Sequence, residues 1–421
     1  MSNVIDFLNE RGFIDNLTSD ELIKEADRPL KAYLGFDPTA DSLHLGHLLG
    51  IVALTWLEKF GHTPIALVGG ATARIGDPSG KNTERPLLSF ETLNENIQGI
   101  EAQLCRCMKD PVIVNNNDWL GSYPLIDFMR DVGKHFRVGP MLGKESVRSR
   151  IQSEEGISFT EFSYQVMQGY DFYHLYKNEG VALQMGGSDQ WGNITAGIEL
   201  TRKLTGKSIY GMTFPLLTRS DGVKFGKSEG GVIWLDPQKT SPYQFYQYLV
   251  RVSDEDVTRM MRMLTFMELE EILQFEQEIV SKSFTPFAAQ KRLAEEVTRF
   301  VHGEEGLKVA LKVTEAAAPG SLAVLDATAL EEIARDMPSA TLKASEVIGQ
   351  KYTDVAAQSG LFSSKGEAVR MVKNGGAYLN NEKVVDLAHV IEEGQVIGKK
   401  YLLFGAGKKK KILVRLQKEL D

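Results

Sequence analysis

Residues 33–50 read Tyr33-Leu34-Gly35-Phe36-Asp37-Pro38-Thr39-Ala40-Asp41-Ser42-Leu43-His44-Leu45-Gly46-His47-Leu48-Leu49-Gly50. The apolar run Tyr33 to Phe36 predicts a short buried strand ending at a turn, Asp37 to Asp41. Ser42 is a residue type that caps helices, and Leu43, Leu48 and Leu49 give the following segment an apolar side at helical spacing. His44 and His47 then stand in the first turn of a helix that follows a strand. Unpaired backbone N–H groups and the positive end of the helix dipole favour an anion there. Gly46 has no side chain, so a flat ring can lie against the backbone. The constellation suits a nucleotide, with phosphates on the histidines and the base beside the glycine. Two histidines at a helix start also fit plain caps, whereas a metal site lacks further His or Cys nearby.

Working outward, Thr63 to Gly70 (T-P-I-A-L-V-G-G) reads as a second buried strand. Strand, helix and strand form a βαβ unit and hence a parallel sheet, whose ligands bind beyond the carboxyl ends of its strands. Asp37 and the loop after Val68 therefore face one crevice. That loop runs G-G-A-T-A-R-I-G-D-P-S-G-K-N-T-E-R. The spacing from Gly76 to Gly80-Lys81, with Asn82 after the lysine, excludes a Walker phosphate loop. Asp77 is a candidate to hold a cation, and Lys81 and Arg85 are candidates to reach phosphate. The Gly-Asp-Pro-Ser-Gly run also fits an ordinary turn.

Residues 88–110 read as a helix, 111–114 as a third strand with Asn115 to Asp118 at its crevice end, and 124–155 as helical. The segment 158–176 predicts a helix on which Tyr164, Gln168 and Asp171 lie within roughly 60° of one another. Such a polar stripe amid Phe, Val, Met and Leu needs partners, which a polar ligand or solvent supplies. V-A-L-Q-M-G-G-S-D-Q-W-G-N, residues 181–193, is a strand ending in glycines where a ligand can approach, followed by Asp189 and Gln190. The loop 218–230, T-R-S-D-G-V-K-F-G-K-S-E-G, carries Lys224, Lys227 and Ser228 between three glycines. Loops of that kind close over phosphates or simply lie in solvent.

The 421 residues are 43% hydrophobic and 25% charged, an ordinary globular composition with room for two or three domains. No apolar run approaches the roughly 20 residues that span a bilayer. The N-terminus lacks the basic and apolar regions of a secretory signal. Cys105 and Cys107 are the two cysteines, spaced so that reduced thiols and a cytoplasmic location are expected. Residues 1–30 are expected to be helical up to Pro29, 241–315 to be a small helical domain, and 316–350 a linker with one helix. From Lys351 to Asp421 there are 13 Lys or Arg and 8 Asp or Glu, a net of +5, so the first 350 residues carry −13 of the total −8. An acidic body with a basic tail suggests that the tail meets a polyanion.

H-L-G-H at 44–47 resembles the first signature of class I aminoacyl-tRNA synthetases, and K-F-G-K-S at 224–228 the second. Y-L-G-F-D-P-T-A-D-S-L-H-L-G-H, G-D-P-S-G-K, F-S-Y-Q-V-M-Q-G-Y-D and Q-M-G-G-S-D-Q-W-G-N together resemble the bacterial tyrosyl-tRNA synthetase family. L-F-S-S-K-G-E-A-V-R-M-V-K-N-G-G-A-Y-L-N-N in the tail resembles its S-four-type RNA-binding domain. The resemblance implies an α/β fold: a Rossmann-like parallel-sheet catalytic domain at 1–219 with a dimer-forming insertion near 128–142, and a mobile loop and connection at 220–240. A helical anticodon-side domain at 241–315, a linker at 316–350 and an α+β RNA-binding domain at 351–421 follow.

It also implies roles. Tyr33 and Asp171 would bond the phenolic hydroxyl of substrate tyrosine. Tyr164, Gln168 and Asp77 would receive its ammonium, with Gln190 near its carboxylate. ATP would lie against Gly35, Asp37, Gly46, His47, Gly187 and Asp189. Thr39, His44, Lys81, Arg85, Lys224, Lys227 and Ser228 would serve the outer phosphates. The implied partners are L-tyrosine, ATP, tRNA(Tyr) and a second copy of the chain, with no DNA and no membrane. Magnesium would be carried on ATP, with no protein-bound metal. Lys144, Arg202, Lys203, Lys365, Arg370, Lys373, Lys408, Lys409, Lys410 and Lys411 are the expected tRNA contacts. Leu34 departs from a cysteine common in bacterial relatives, and Phe225-Gly226 replaces Met-Ser. Two rivals remain at this level: a tryptophan-specific relative, against which Tyr33 opposite Asp171 speaks, and an RNA-binding protein that has kept a synthetase fold.

Overall fold

The computed structural model describes residues 3–80, 88–228, 231–283, 285–317, 330–331, 334, 337–407 and 410–417. They form two compact units, Met1–Asp236 with Ser253–Ala289, and Pro237–Val252 with Gln290–Asp421. The helical stretch 241–315 is thus divided between them.

The first unit is built on six strands: β1 (Asn16–Leu17), β2 (Lys31–Phe36), β3 (Thr63–Val68), β4 (Val112–Asn115), β5 (Val181–Gly187) and β6 (Tyr210–Phe214). Their order is β1-β6-β5-β2-β3-β4, all parallel except β1. The chain leaves β2 toward β3 and β4, then returns to β5 on the other side. The carboxyl ends of β2 and β5 therefore flank a switch point, where such sheets bind ligands. β3 is buried on both faces from Pro64 to Val68, which is why its sequence is continuously apolar. The helix Leu48–Lys59 packs against β2 and β3 and is buried for its first ten residues.

Four local expectations are corrected. Residues 1–30 are not one helical segment: β1 separates the helices Val4–Glu10 and Glu21–Glu25 and pairs with the edge of β6. Ser42 caps nothing. Its hydroxyl donates to the Leu43 carbonyl, which also accepts from the Leu235 amide, so the chain is still extended there. The cap is His44, whose ring accepts from the Gly46 amide, and a 3-10 turn Leu45–His47 precedes the α-helix. The region 124–155 breaks into the helices Leu125–Asp131, Val138–Leu142 and Glu145–Ile151, with a 3-10 turn between the first two. Within the expected linker 316–350, Ser339–Lys343 forms a strand.

Arg11 explains why residues 253–289 belong to this unit. Its buried guanidinium donates to the carbonyls of Met261, Arg262, Thr265 and Met267, which end the helix Asp254–Leu264, and lies 5.1 Å from the Trp56 ring. Orphan carbonyls at a buried helix end need such a donor. Burial, with Arg262 close by, lowers the Arg11 pKa to about 10.

Two short strands, β7 (Lys227–Ser228) and β8 (Gly231–Val232), form a separate antiparallel pair. In the second unit a five-stranded sheet has the order β11-β10-β12-β13-β9. Its strands are β9 (Ser339–Lys343), β10 (Ala377–Leu379), β11 (Glu382–Lys383), β12 (Tyr401–Ala406) and β13 (Lys410–Gln417). β9 lies parallel to β13, so the C-terminal fold begins before residue 351. The helices Tyr352–Gln358 and Lys365–Lys373 share a core with this sheet around Tyr352, Phe362, Leu402 and Phe404.

Candidate active site

At the carboxyl end of β2, Gly35 is exposed although it lies in a central strand, and a Cβ there would come within 4 Å of Leu67 Cδ2 only, at 3.9 Å. Asp37 follows. One of its oxygens accepts from Thr72 at 2.9 Å and the other from the Tyr164 hydroxyl at 2.7 Å. A Cβ on Gly69 would stand 2.0 Å from Asp37, so the glycine after β3 is what admits this carboxylate. Thr39 is exposed, its amide bonded to the Asp37 carbonyl.

The stripe on the helix Phe159–Glu179 faces inward. Asp171 is 2% exposed, and its two oxygens accept from Trp119 Nε1 at 2.7 Å and Asn116 Nδ2 at 3.0 Å. Burial pushes its pKa to about 7, with the Asp37 charge adding and the two hydrogen bonds opposing. Tyr33 is buried, its ring edge-on to Phe172 at 5.4 Å. Its hydroxyl has no hydrogen-bond partner among the described residues. Burial and the nearby Asp171 hold the Tyr33 hydroxyl well above the ordinary phenol range. Gln168 is half-buried, and its side-chain oxygen likewise has no described partner.

A second cluster gathers Asp77, Gln190 and Asp189. Asp77 accepts from Gln190 Nε2 at 2.7 Å, from the Ser79 amide at 3.0 Å and from Asn193 Nδ2 at 3.3 Å. Asp189 is raised above the usual carboxylate range by burial and by Asp77, while Gln190 and Lys224 act to lower it. Gly187 stands two residues before it: a Cβ there would come 2.6 Å from the Asp189 carboxylate.

The two signatures meet. His44 and His47 stack at 3.8 Å, and His47 Nδ1 accepts from the His44 amide at 3.1 Å. The segment after the second signature runs alongside the first, the Leu45 amide donating to the Ile233 carbonyl and the Leu235 amide to the Leu43 carbonyl. Gly226 has φ +88°, and a Cβ on it would sit 3.1 Å from Leu45 Cβ and 3.4 Å from the Gly46 amide. Glycine is needed there for both reasons. Lys224 and Lys227 are exposed on this loop. Lys81, Arg85, Lys408 and Lys409 lie outside the described residues, as does the side chain of Ser228.

Among the expected RNA contacts, Lys144 turns inward: its ammonium donates to the Gly192 carbonyl at 2.6 Å, and burial lowers its pKa to about 8. Lys203 bonds the His135 carbonyl and pairs with Glu199, whereas Arg202 is exposed. In the tail, Lys365, Arg370, Lys373 and Lys410 are exposed, and Lys410 and Arg370 both act on the Glu367 carboxyl. Lys411 is half-buried against Asn381, its pKa lowered to about 8 by burial.

Sequence reasoning assigned no role to Thr72, Asn116, Trp119 or Asn193. Asn116 was legible as a polar residue ending a strand, and Asn193 stands three residues after Gln190. Nothing local marks Thr72 or Trp119.

Residues 24–318 match the family described as tRNA synthetases class I (W and Y), and residues 329–414 match the tyrosine–tRNA ligase SYY-like C-terminal domain. The chain belongs to the class I tyrosyl-tRNA synthetases. Within that family it is 54% identical to the tyrosine–tRNA ligase of Protochlamydia amoebophila, over 100% of both chains. It is 50% identical to the chloroplastic/mitochondrial tyrosine–tRNA ligase of Arabidopsis thaliana, over 98% of this chain and 84% of the relative. Among solved structures of the family, a C-terminally truncated mitochondrial tyrosyl-tRNA synthetase of Aspergillus nidulans superposes with a TM-score of 0.66 at 32% identity. That match covers 74% of this chain and 92% of the other.

Proposed function

We infer that this chain is a tyrosine–tRNA ligase, which activates L-tyrosine with ATP to tyrosyl-adenylate and pyrophosphate and then transfers tyrosyl to the 3′ end of tRNA(Tyr). The observation that carries the reading is the buried Tyr33 hydroxyl without a described partner, near an Asp171 carboxylate held by Asn116 and Trp119. A phenol between them answers an unmet hydrogen bond, and phenylalanine would leave the buried Tyr33 hydroxyl unpaired. Sites of that kind reject the analogue lacking the hydroxyl, and this family is itself the reference case.

Tyr164, Gln168, Asp77 and Gln190 take the ammonium and carboxylate of the substrate. Gly35, Asp37, Gly46, His47, Gly187 and Asp189 take the adenosine. The tyrosine carboxylate is already a competent nucleophile, so no side chain needs to attack. Its oxygen bonds the α-phosphorus as the bond to pyrophosphate breaks. A terminal ribose hydroxyl of tRNA then attacks the acyl carbon and releases AMP. The protein contributes alignment and positive charge for the leaving pyrophosphate, from His44, Lys224 and Lys227 with Thr39, Lys81, Arg85 and Ser228. Magnesium carried in with ATP would neutralise part of the phosphate charge.

The tail at 351–421 binds the tRNA. The insertion near 128–142 pairs two copies of the chain, a reading supported by Leu125 and Ile126, 72% and 75% exposed, beside exposed Met129 and Val138. A dimer mass in sedimentation equilibrium tests it. Two free cysteines favour a cytoplasmic location.

The deciding experiment is tyrosine-dependent ATP–pyrophosphate exchange by wild type and Asp171→Ala, with phenylalanine and tryptophan as controls. Exchange with tyrosine alone, lost in the variant, is the expected result. Exchange with tryptophan would overturn the substrate, and none with any amino acid would overturn the enzyme.

A further inference from the structure

The loop bearing Lys224 and Lys227 rises from a root whose attachment comes from outside the signatures. The Phe225 amide donates to the Leu217 carbonyl and the Arg219 amide to the Val223 carbonyl, so residues 217–225 fold back on themselves. Ser220, in the outgoing arm, donates through both its amide (3.0 Å) and its hydroxyl (3.2 Å) to one oxygen of Asp256. Ser253 also donates to that oxygen, at 2.9 Å. The other Asp256 oxygen accepts from Arg259 at 2.9 Å, and the same guanidinium nitrogen donates to the Thr218 carbonyl. Asp256 is 3% exposed. Burial acts to raise its pKa, but the hydrogen bonds from Ser220, Ser253 and Arg259 prevail and lower it.

Part of this is ordinary helix chemistry. Ser253 and Asp256 stand at the start of the helix Asp254–Leu264, where an acidic residue suits the dipole. Capping does not account for Ser220 and Thr218, which lie 36 residues or more away in sequence. The root also borders a cavity of about 320 Å³ lined by Gly12, Leu216, Leu217, Arg259 and Met263, so packing does not wedge it from that side. A carboxylate with both oxygens engaged ties Ser220 and Arg259 down there.

We propose that Asp256, acting through Ser220 and Arg259, is a positioning residue for adenylate formation: it fixes the root from which Lys224 and Lys227 reach the outer phosphates. The proposal rests on the ligase reading above and adds to it a residue outside both signatures. Placing charge on a leaving group tolerates little misalignment, so a loosened root lowers the rate while leaving the tyrosine pocket alone. Asp256→Asn keeps the shape of the side chain but replaces one acceptor by an NH2 group, which then faces the donors of either Ser220 or Arg259.

The test uses the full chain in ATP–pyrophosphate exchange, with tyrosine binding measured separately in the absence of ATP. Asp256→Asn is expected to lower kcat about tenfold and to leave tyrosine affinity unchanged. In a Lys227→Ala background the same substitution is expected to lower kcat by less than tenfold, because part of its effect passes through that lysine. A wild-type kcat in Asp256→Asn, an undiminished tenfold loss in the Lys227→Ala background, or a parallel loss of tyrosine binding would each overturn the proposal. Should Asp256→Asn fail to fold, Ser220→Ala carries the same comparison with an expected loss of about threefold, and additivity with Lys227→Ala overturns it. Wild-type chain without tyrosine-dependent exchange would instead sink the ligase reading before any variant is compared.

Discussion

A buried hydroxyl without a partner costs about 1–3 kcal/mol, and Tyr33 carries one at 1% exposure. Tyr33→Phe is therefore expected to leave Tm unchanged or raised, while the preference for tyrosine over phenylalanine in exchange falls at least about tenfold. A lowered Tm with unchanged preference would show that the hydroxyl serves the fold and not the substrate. Its neighbour Asp171 makes a pH prediction. Its carboxyl titrates near 7 when folded and near 3.9 when unfolded. Between those values the native state binds more protons than the unfolded one, so this group's contribution to stability is full below about pH 4 and is lost as pH rises to about 7. Asn is a neutral stand-in for the protonated acid. The Tm of wild type relative to Asp171→Asn should decline from pH 4 to 7 and stay level above. A difference independent of pH would mean that Asp171 is ionised throughout.

At the scale of elements, the substitution at Leu34 has a structural counterpart. Leu34 on β2 is buried, and a Cβ on Gly50 of the helix Leu48–Lys59 would come 2.9 Å from its Cδ1. Strand and helix meet as a large residue over a small one. Gly50→Ala alone gains helix propensity but overpacks, for a net loss of about 1 kcal/mol or more. With Leu34→Ala the space is returned, and the double variant should be more stable than the sum of the two losses by about 1 kcal/mol, measured by urea unfolding. Strict additivity would show that the two side chains do not share this space.

At the scale of the whole molecule, charge is divided as an acidic body and a tail of net +5. In the second unit the helix Lys365–Lys373 and the start of β13 bring Arg370 and Lys410 together around Glu367. Reversing Lys365, Arg370 and Lys373 to Glu is expected to leave tyrosine-dependent exchange unchanged and to cut tRNA charging at least about tenfold. The slope of log affinity against log salt should fall by about one for each phosphate that is no longer neutralised. Equal losses in both assays would contradict a separate RNA-binding role for the tail.

From the chain alone, the βαβ order, the polar stripe, the two signatures and the basic tail could be read, while the structure turned the stripe inward. Each depends on residues a few positions apart, whose spacing reflects the period of a strand or helix. The start of the helix after His44 was misread because Leu43 is held extended by Leu235, a residue 192 positions away. β9 was missed because a five-residue edge strand of alternating exposure is a weak signal until β13 lies beside it. Within the site, the pairing of Asp37 with Tyr164 spans 127 residues, that of Trp119 with Asp171 spans 52, and that of Ser220 with Asp256 spans 36. Sequence determined which chemistry the chain carries and on which kind of element each group sits. Tertiary structure alone decided which groups meet, because a buried polar atom takes its partner from whatever the packing of distant elements brings within about 3 Å.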